Sequence, residues 1–474
     1  ARVLSVLQSE RFQPRLIHRD PEESSAEDLR CLQGTEVFVI CVHTPLSKMS
    51  RNAPDVQWIE KSANLISRVY AAEEASAGLP RERLLILEST TYPGTTRSLF
   101  SQVGSAYKNA CKTYLAYSPE RINPGPAVLE SNATSLGMFQ TPKIVGGDTQ
   151  ESGRVAQAFY RCNFVFSTVH LVPGLEAAEF VKLLENSFRY VSIAFALEMA
   201  GIAQKMGLNI WEIIAAAKTK GFGLDLCYPG LIGGHCIPID PIYLEWYART
   251  FLQTDARLIT TAQALHDAFR VRAADLICRL VAVNRGNIGQ ANIWFWGVTY
   301  KEDVADTRES AVKDIMRGLC EQGATLLYWD PVLVHHSKAP AFEIELASDE
   351  WTRMSQISGA RGQIRTEADG GRFLTPRPLS LTPTGFPREV DCVVLAVDHG
   401  EFDNSYDLLM QTGIPVIDLR NSIGAYRARL QKRLETGQER QLQEESIRRV
   451  DDRIADARHY ALLGVTGDSR QGDG

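Results

Sequence analysis

The chain has 474 residues, of which 44% are hydrophobic and 23% are charged. Its length exceeds what one hydrophobic core usually organises, so two or three domains are expected. The net charge of −6 gives no basic footprint for nucleic acid, and no apolar run approaches the roughly 20 residues that span a bilayer. The nine cysteines include no CxxC pair and no close cysteine–histidine cluster. This pattern favours reduced thiols in the cytoplasm over disulfides or a metal site.

Two apolar runs in the first 150 residues are typical of buried parallel strands. Residues 36–42 and 84–90 are both largely apolar, and polar residues follow at the end of each run. In doubly wound sheets, ligands bind beyond the carboxyl ends of the strands, which is where Thr44 and Thr90 are expected. Each threonine has an equally weighted alternative interpretation as a plain turn residue.

Residues 174–220 are predicted to be helical, because apolar residues recur there at helical spacing. A long helix between two α/β halves commonly joins them and pairs with its counterpart in a dimer. Lys182 and Asn186 are four residues apart and therefore share one face of this helix. On spacing alone, the better interpretation is a solvated lysine and a surface asparagine.

A second α/β half is predicted after residue 291. Within it, residues 348–387 are rich in Pro, Gly, Thr and Arg, which indicates an insertion or a mobile loop. From residue 426 the chain is charged and predicted to be helical, and residues 468–474 are predicted to be disordered. A helix is predicted from about residue 309, and strands are predicted at residues 293–298, 325–330, 390–397 and 414–419.

A glycine-rich turn at residues 229–241 contains a single cysteine, Cys236, with the carboxylate of Asp240 four residues later. Such a turn exposes a thiol and lets a substrate approach the backbone closely. A structural cysteine usually behaves as a small buried hydrophobe and needs neither property. From the chemistry alone, a nucleophilic Cys236 and an ordinary cysteine in a glycine-rich loop are about equally favoured.

The same turn resembles the active-site signature of the UDP-glucose/GDP-mannose dehydrogenases. Its Gly-Gly-His-Cys sequence, followed by an apolar pair and Asp-Pro, is most similar to the branch that acts on UDP-N-acetylhexosamines. The resemblance extends from about residue 36 to about residue 421 and includes several further blocks in the order expected for the family. These blocks are residues 42–46, 88–95, 117–125, 182–186 and 300–310.

The resemblance implies an α/β fold of two Rossmann-like doubly wound domains joined by a long central helix. The implied parts are a partial NAD-binding domain at 1–170, a central helical dimerisation region at 171–275, a nucleotide-sugar-binding domain at 276–425 and a charged tail at 426–474. A GxGxxG turn, which holds the cofactor's pyrophosphate in such folds, does not precede residue 36. Truncation and natural loss both remain open, and this chain alone is expected to bind NAD poorly.

The resemblance also implies a reaction: the NAD-dependent, four-electron oxidation of the C6 alcohol of a nucleotide sugar to a carboxylate. The implied cofactor is NAD, and the implied partners are a UDP-sugar substrate and a second copy of the chain in a homodimer or larger homo-oligomer. The family motifs carry over to catalytic, cofactor-binding and substrate-binding positions in this sequence. The catalytic positions are Cys236, Lys182, Asn186, Asp240, Glu120 and Thr90; the cofactor positions are Val42, Thr44, Pro45, Ser89, Thr90 and Arg308; the substrate positions are Glu120, Lys182, Asn186, Tyr228, Gly230, Gly233 and Lys301.

Specific roles follow from the same resemblance. Cys236 would hold the aldehyde as a thiohemiacetal and then as a thioester, and Lys182 would stabilise charge on the substrate oxygen. Asn186 and Asp240 would position water, and Glu120 would act as general base for thioester hydrolysis. Thr90 would hold the water or lie at the nicotinamide.

Two alternatives remain open at the level of sequence. One is a non-catalytic nucleotide-sugar-binding protein, and the other is a two-electron hydroxyacid dehydrogenase, against which Cys236 argues. Lys301 and Arg308, taken alone, are better interpreted as part of a solvated charge run. The sequence departs from the family at His266, where neutral packing is expected.

Overall fold

A computed structural model describes residues 30–47, 53–74, 82–105, 112–122, 141–163, 168–335, 342–357, 363–367, 370–381, 386–387, 389–435, 440–455 and 460–462. It divides into two compact units. The first unit comprises residues 1–188 and 239–259, and the second comprises residues 189–238 and 260–474. The predicted disorder at 468–474 and the missing opening motif lie outside the described residues, and the predicted domain boundaries remain predictions.

The first unit is built on a five-stranded sheet in the order β1-β2-β3-β4-β5. Neighbouring strands are parallel except for β3 and β4, which are antiparallel. The strands are β1 Val37–Ile40, β2 Glu82–Leu87, β3 Lys112–Tyr117, β4 Lys143–Gly147 and β5 Val169–Val172. The helices between them are α1 Gln57–Glu74, α2 Thr95–Ser105 and α3 Gln150–Asn163.

The sheet of the first unit confirms both strands predicted there, with shorter bounds than the apolar runs. Strand β2 is buried along its length except at its first residue, as expected for a central parallel strand. Side chains of β1, β2 and β3 pack with α1 and α2 in one core that includes Phe38, Ile59, Leu85 and Leu115. A second cluster on β2 and β3 packs against α3. Helices therefore pack on the sheet as the α/β prediction requires.

The predicted helical stretch at 174–220 consists of two helices, α4 Leu175–Lys205 and α5 Ile210–Lys218. The break between them contains Gly207, whose φ of 68° lies in the left-handed region that terminates helices. Asn209 then caps α5 by accepting a hydrogen bond from the backbone N–H of Trp211 at 3.0 Å. Two further long helices follow, α6 Asp240–Phe251 and α7 Arg257–Arg285.

The second unit contains an all-parallel sheet in the order β11-β7-β6-β12-β13-β14. Four of its six strands confirm those predicted from apolar runs, and β11 and β14 are additional strands that the sequence did not suggest. The strands are β6 Asn292–Trp296, β7 Thr325–Trp329, β11 Arg377–Pro378, β12 Cys392–Leu395, β13 Val416–Asp418 and β14 Tyr460–Leu462. The helices are α8 Val312–Glu321, α9 Pro331–His335, α11 Asp403–Gln411, α12 Ser422–Glu435 and α13 Arg440–Ala455.

Two segments of the second unit have more structure than their composition suggests. Residues 342–374 include helix α10 Ser348–Met354 and a small antiparallel sheet of β8 Ile344–Glu345, β9 Ile364–Thr366 and β10 Arg372–Leu374. Tyr426 and Leu430 of α12 and Val450 of α13 are buried in the core beside Trp294 and Trp296. The charged sequence after residue 425 thus contributes apolar side chains to this core.

Among the helices of the described segments, none is long and apolar enough to cross a membrane.

Candidate active site

The turns that follow β1 and β2 are tied together at the carboxyl edge of the first sheet. The backbone N–H of Val42 donates to Ser89 Oγ at 2.8 Å, and Thr44 Oγ1 donates to the carbonyl of Thr90 at 2.8 Å. The hydroxyl of Tyr243, on α6, donates to the carbonyl of Thr44 at 2.8 Å. The predicted cofactor residues of these turns are therefore neighbours in a fixed arrangement. Strand ends of this kind fit a dinucleotide lying across them.

Lys182 and Asn186 lie on the buried face of α4, where the spacing argument alone placed them in solvent. Their exposed fractions are 7% and 8%. Asn186 Nδ2 donates to Asp240 Oδ2 at 2.6 Å, and Lys182 Nζ donates to the backbone carbonyl of Glu120 at 2.5 Å. The first unit thus brings together four residues that the family resemblance marks as catalytic. Within the unit, they come from a strand end, a long helix and the first turn of α6.

Burial raises the pKa of Asp240 to about 6, although the positive charge of Lys182 and the Asn186 hydrogen bond both lower it. A carboxyl with this pKa is poised to exchange a proton near neutral pH. The amide of Asn186 fixes the Oδ2 atom of this carboxyl. The environment therefore suits a group that takes up and releases a proton.

The side chain of Glu120 is exposed and turns back onto its own loop. Its Oε1 accepts hydrogen bonds from the backbone N–H groups of Arg121 and Ile122, both at 2.6 Å. Arg121 in turn binds Glu185 of α4, with Nη2 at 2.5 Å from Oε1. The backbone carbonyl of Glu120 thus contacts Lys182, whereas its carboxylate binds the backbone of the next two residues in the loop. Its role as a general base stays a prediction.

The turn that contains Cys236 is fixed by close packing within the second unit. Gly234 has a φ of 82°, and a Cβ added there would lie 2.8 Å from the ring of Tyr300. A Cβ added at Gly233 would lie 2.7 Å from the carbonyl oxygen of Glu309. Both positions therefore require glycine, and the side chain of Cys236 that follows them is exposed. This is the geometry expected of a presented thiol.

A small cavity lies beside this turn in the second unit. Leu231 and Ile232 form one wall, and Thr299, Tyr300 and Lys301 form another. Burial lowers the pKa of Lys301, which is half-buried rather than part of a solvated run. The remaining walls are lined by Ser310, Ala311, Val312, Ala396, Val397 and Arg420.

The other predicted residues of the second unit occupy varied surroundings. The ring of Tyr228 stacks on Trp211 with centroids 5.3 Å apart, and Lys218 Nζ lies 4.3 Å from its centre. Arg308 is exposed and binds Asp306, with Nη2 2.6 Å from Oδ2. Gly230 is buried, and a Cβ there would lie 2.5 Å from Arg420 Nη1. Among the residues described, Arg308 and Tyr228 do not line the cavity, so their ligand roles stay predictions.

His266 shows the neutral packing expected for it. It is 3% exposed, and its Nε2 lies 3.0 Å from the carbonyl oxygen of Tyr190. Burial lowers the pKa of His266 to about 4, so the imidazole is neutral and donates to that carbonyl.

Two residues of the site were missed by the sequence analysis. Arg420 lies in the loop just after β13, which ends at Asp418, and Thr44 lies in the loop after β1, which ends at Ile40. The rule about strand ends could therefore have found Arg420. Tyr243 fixes the turn after β1, but a tyrosine inside a helix carries no signal of that long-range contact. Three of the positive-φ residues other than glycine also flank the cavity loops: Asp303, Glu309 and Asn421. Strained backbone of this kind often accompanies functional loops.

Comparisons with known proteins match this arrangement. The chain matches three domains of the UDP-glucose/GDP-mannose dehydrogenase family: the NAD binding domain over 24–163, the central domain over 176–267 and the UDP binding domain over 294–360. The UDP-N-acetyl-D-mannosamine dehydrogenase of Methanocaldococcus jannaschii is 32% identical over 299 residues, which are 63% of this chain. The chain spans 62% of the length of that relative, which is less than two thirds.

Two further relatives extend the similarity. The UDP-N-acetyl-D-mannosamine dehydrogenase of Methanococcus maripaludis is 31% identical over 386 residues, covering 81% of this chain and 72% of that protein. A solved structure of UDP-D-ManNAc dehydrogenase from Pyrococcus horikoshii has a TM-score of 0.61 at 25% identity, covering 83% of this chain and 79% of that one. The matched domains and these similarities show that the chain belongs to the UDP-glucose/GDP-mannose dehydrogenase family.

Proposed function

We propose that the protein is an NAD-dependent nucleotide-sugar 6-dehydrogenase that oxidises the C6 alcohol of a UDP-sugar to a carboxylate. The observation that carries the proposal is the cavity in the UDP-binding part of the chain. Its wall includes Leu231 and Ile232, which lead directly to the exposed Cys236. A nucleotide sugar seated there has a nucleophile on the same loop that contacts it.

NAD, when bound, accepts one hydride in each of two oxidation steps. The strand ends with Thr44 and Thr90 are the proposed positions for part of it, with Val42, Pro45 and Ser89 in the same turns. Arg308 is also proposed as a cofactor residue, as the family resemblance implies. In the first step the C6 alcohol loses a hydride and a proton, and Asp240 is the proposed proton acceptor. Its pKa of about 6 leaves the carboxylate mostly ionised at neutral pH.

Cys236 is proposed to act between the two oxidations. Its thiolate adds to the aldehyde carbon, the carbon–oxygen π bond breaks, and the oxygen takes up one proton to become the hydroxyl of a thiohemiacetal. Loss of the second hydride and of the hydroxyl proton gives a thioester on Cys236. A thioester hydrolyses readily, which is the chemical reason for a thiol at this position.

Hydrolysis completes the reaction. Water attacks the thioester carbon, the carbon–sulfur bond breaks, and the thiolate leaves as the carboxylate forms. Lys182 is proposed to stabilise the negative charge on the oxygen, Asn186 to hold the water, and Glu120 to accept its proton. Thr90 is proposed to hold the water or lie at the nicotinamide. Lys301, Gly230, Gly233 and Tyr228 are proposed to contact the nucleotide sugar, and Arg420 joins them because it lines the cavity.

A UDP-linked N-acetylhexosamine is the proposed substrate. The relatives named above are UDP-N-acetyl-D-mannosamine dehydrogenases, and the sequence around Cys236 resembles the same branch. Such a uronic acid product suits polysaccharide biosynthesis, and the absence of disulfides among the described cysteines suits the cytoplasm.

We also propose a homodimer formed through α4. Apolar side chains at helical spacing are exposed along this helix, and monomeric proteins rarely expose contiguous apolar patches of this size. The exposed fractions are Phe180 41%, Leu184 53%, Phe188 55%, Phe195 47% and Ile202 51%.

The test is NADH production with a panel of UDP-N-acetylglucosamine, UDP-N-acetylmannosamine, UDP-glucose and GDP-mannose. We expect two NADH per sugar acid and the highest kcat/KM with a UDP-N-acetylhexosamine. One NADH per sugar would contradict the four-electron reaction. A clear preference for UDP-glucose would contradict the proposed substrate but not the reaction.

A further inference from the structure

The second unit contains a buried histidine that the proposed reaction does not use. His399 is fully buried in a turn after β12. Its Nε2 lies 3.1 Å from Asp330 Oδ2, and its Nδ1 accepts a hydrogen bond from the backbone N–H of Asp303 at 2.9 Å. Since Nδ1 accepts, the proton is on Nε2, which donates to the Asp330 carboxylate. The ring therefore links the end of β7 to residue 303.

Asp330 joins the histidine to the wall of the cavity. The same Oδ2 accepts the backbone N–H of Val298 at 2.8 Å and that of Thr299 at 3.1 Å. Thr299 Oγ1 lies 3.2 Å from His399 Nε2 and donates to the carbonyl of Lys301 at 3.0 Å. Together these contacts hold residues 298, 299 and 301 in place.

Asp303, at the other end of this segment, has a backbone conformation that is unfavourable for most residues. Asp303 has a φ of 55°, in the left-handed region that most side chains avoid. Its N–H is bound by His399, and its Oδ1 accepts the N–H of Gly400 at 3.1 Å. The segment 298–303 is thus bound at both ends, by Asp330 at one and by His399 at the other.

We propose that His399 and Asp330 are positioning residues that hold segment 298–303 and so set Thr299, Tyr300 and Lys301 in the wall of the nucleotide-sugar cavity. Neither residue lines the cavity, so both act through the segment. Tyr300 extends the effect to the thiol turn, because its ring packs against Gly234, two residues before Cys236. The inference rests on the proposed function, in which this cavity binds the nucleotide sugar.

The test uses UDP as the probe, titrated by calorimetry into the full chain and its variants. We expect His399→Ala to weaken UDP binding about tenfold, since two buried hydrogen bonds to the segment are lost. His399→Asn keeps an oxygen near the Nδ1 position and is expected to recover most of the loss. Ser446→Ala is the matched control, because Ser446 is buried in the same unit and donates to Asp407 at 2.6 Å.

A second variant guards against misfolding of the first. Thr299→Val keeps the shape of the side chain and removes only its hydroxyl bridge, so we expect a two- to fivefold loss of UDP affinity with little change in the urea midpoint. A purely structural role predicts lower midpoints with unchanged UDP affinity, and that result would overturn the proposal. Equal affinity in His399→Asn and His399→Ala would overturn it as well. A parent chain that does not bind UDP would instead refute the proposed function itself.

Discussion

The two units present their reactive groups in opposite ways. In the first unit, Lys182, Asn186 and Asp240 are more than nine-tenths buried and each is bound to a partner. In the second, Cys236 is exposed on a turn whose shape depends on two glycines packed against neighbouring loops. Proton transfer benefits from burial, because a low dielectric shifts pKa values, whereas a nucleophile must reach its substrate. In the proposed reaction, the first unit therefore supplies the buried proton-transfer groups and the second supplies the exposed nucleophile.

The largest effect is expected from Cys236→Ser in the second unit. A hydroxyl is a far poorer nucleophile than a thiolate at neutral pH, so formation of the acid should fall by roughly a thousandfold or more. Binding of UDP should stay within about twofold, because the backbone of the turn is unchanged. Chromatographic measurement of sugar acid from the variant and the parent checks this. Equal rates would remove the nucleophile from the second unit and with it the contrast.

The next effect concerns Asp240 in the first unit. Asp240→Asn removes the proposed proton acceptor and should lower kcat about a hundredfold. The kcat of the parent should rise with pH through about 6, and this limb should be absent from the variant. Glu179→Gln is the control, since Glu179 is also buried on α4 but accepts hydrogen bonds from Gly94 and Thr96. Loss of the limb in Glu179→Gln but not in Asp240→Asn would contradict the assignment.

The same pKa predicts a pH-dependent stability. Burial raises the pKa of Asp240 from 3.8 to about 6, so the folded state binds the proton more tightly than the unfolded state. The contribution of Asp240 to the free energy of unfolding is most favourable below about pH 4. It is lost as the pH rises to about 6, a change of about 3 kcal/mol. Urea unfolding of parent and Asp240→Asn at pH 4.5 and 7.5 checks the sign. Relative to the parent, the free energy of unfolding of the variant should be higher at pH 7.5 than at pH 4.5. The opposite result would show that the folded state favours the ionised form of Asp240.

A smaller effect is expected from the glycines of the thiol turn. Gly234→Ala places a Cβ against Tyr300 at a φ of 82°, which should displace Cys236 and lower kcat about tenfold. Gly413→Ala is the matched control, because a Cβ there meets nothing within 4 Å. Rates of Cys236 alkylation by iodoacetamide report the displacement without turnover. Identical kcat in the Gly234→Ala variant and the parent would mean that the turn does not need this shape.

The smallest effect on the chemistry itself is expected on the exposed face of α4. Leu184→Glu places a charge among the exposed apolar side chains of α4 and should shift a dimer to monomer. Its kcat should change less than that of the variants described above. Sedimentation equilibrium checks the mass, and Glu198→Gln is a control on the same helix. A parent that is monomeric at micromolar concentration would refute the proposed dimer.

The sequence was sufficient for the features that depend on local pattern. Continuous apolar runs predicted β1 and β2 of the first unit and β6, β7, β12 and β13 of the second, and the motif around Cys236 indicated its exposed turn. It was insufficient where burial decides the interpretation: spacing placed Lys182 and Asn186 in solvent, whereas α6 and the loop at Glu120 cover them. Contacts such as that of Tyr243 with Thr44 join residues almost 200 positions apart. No local pattern encodes them. Strands β3, β4, β5, β11 and β14 were also not predicted, and β14, for example, is defined by its pairing with β13.

The central claim is that Cys236 forms a covalent bond with the substrate carbon during oxidation. The most direct measurement is peptide mass spectrometry of Glu120→Gln, in which thioester hydrolysis should be slowed, after rapid quenching with NAD and a UDP-N-acetylhexosamine. We expect an added mass equal to the acyl form of the UDP-sugar, located on the peptide that contains Cys236 and absent when NAD is omitted. Sugar acid that accumulates while Cys236 stays unmodified at every quench time, in the variant and in the parent, would contradict it.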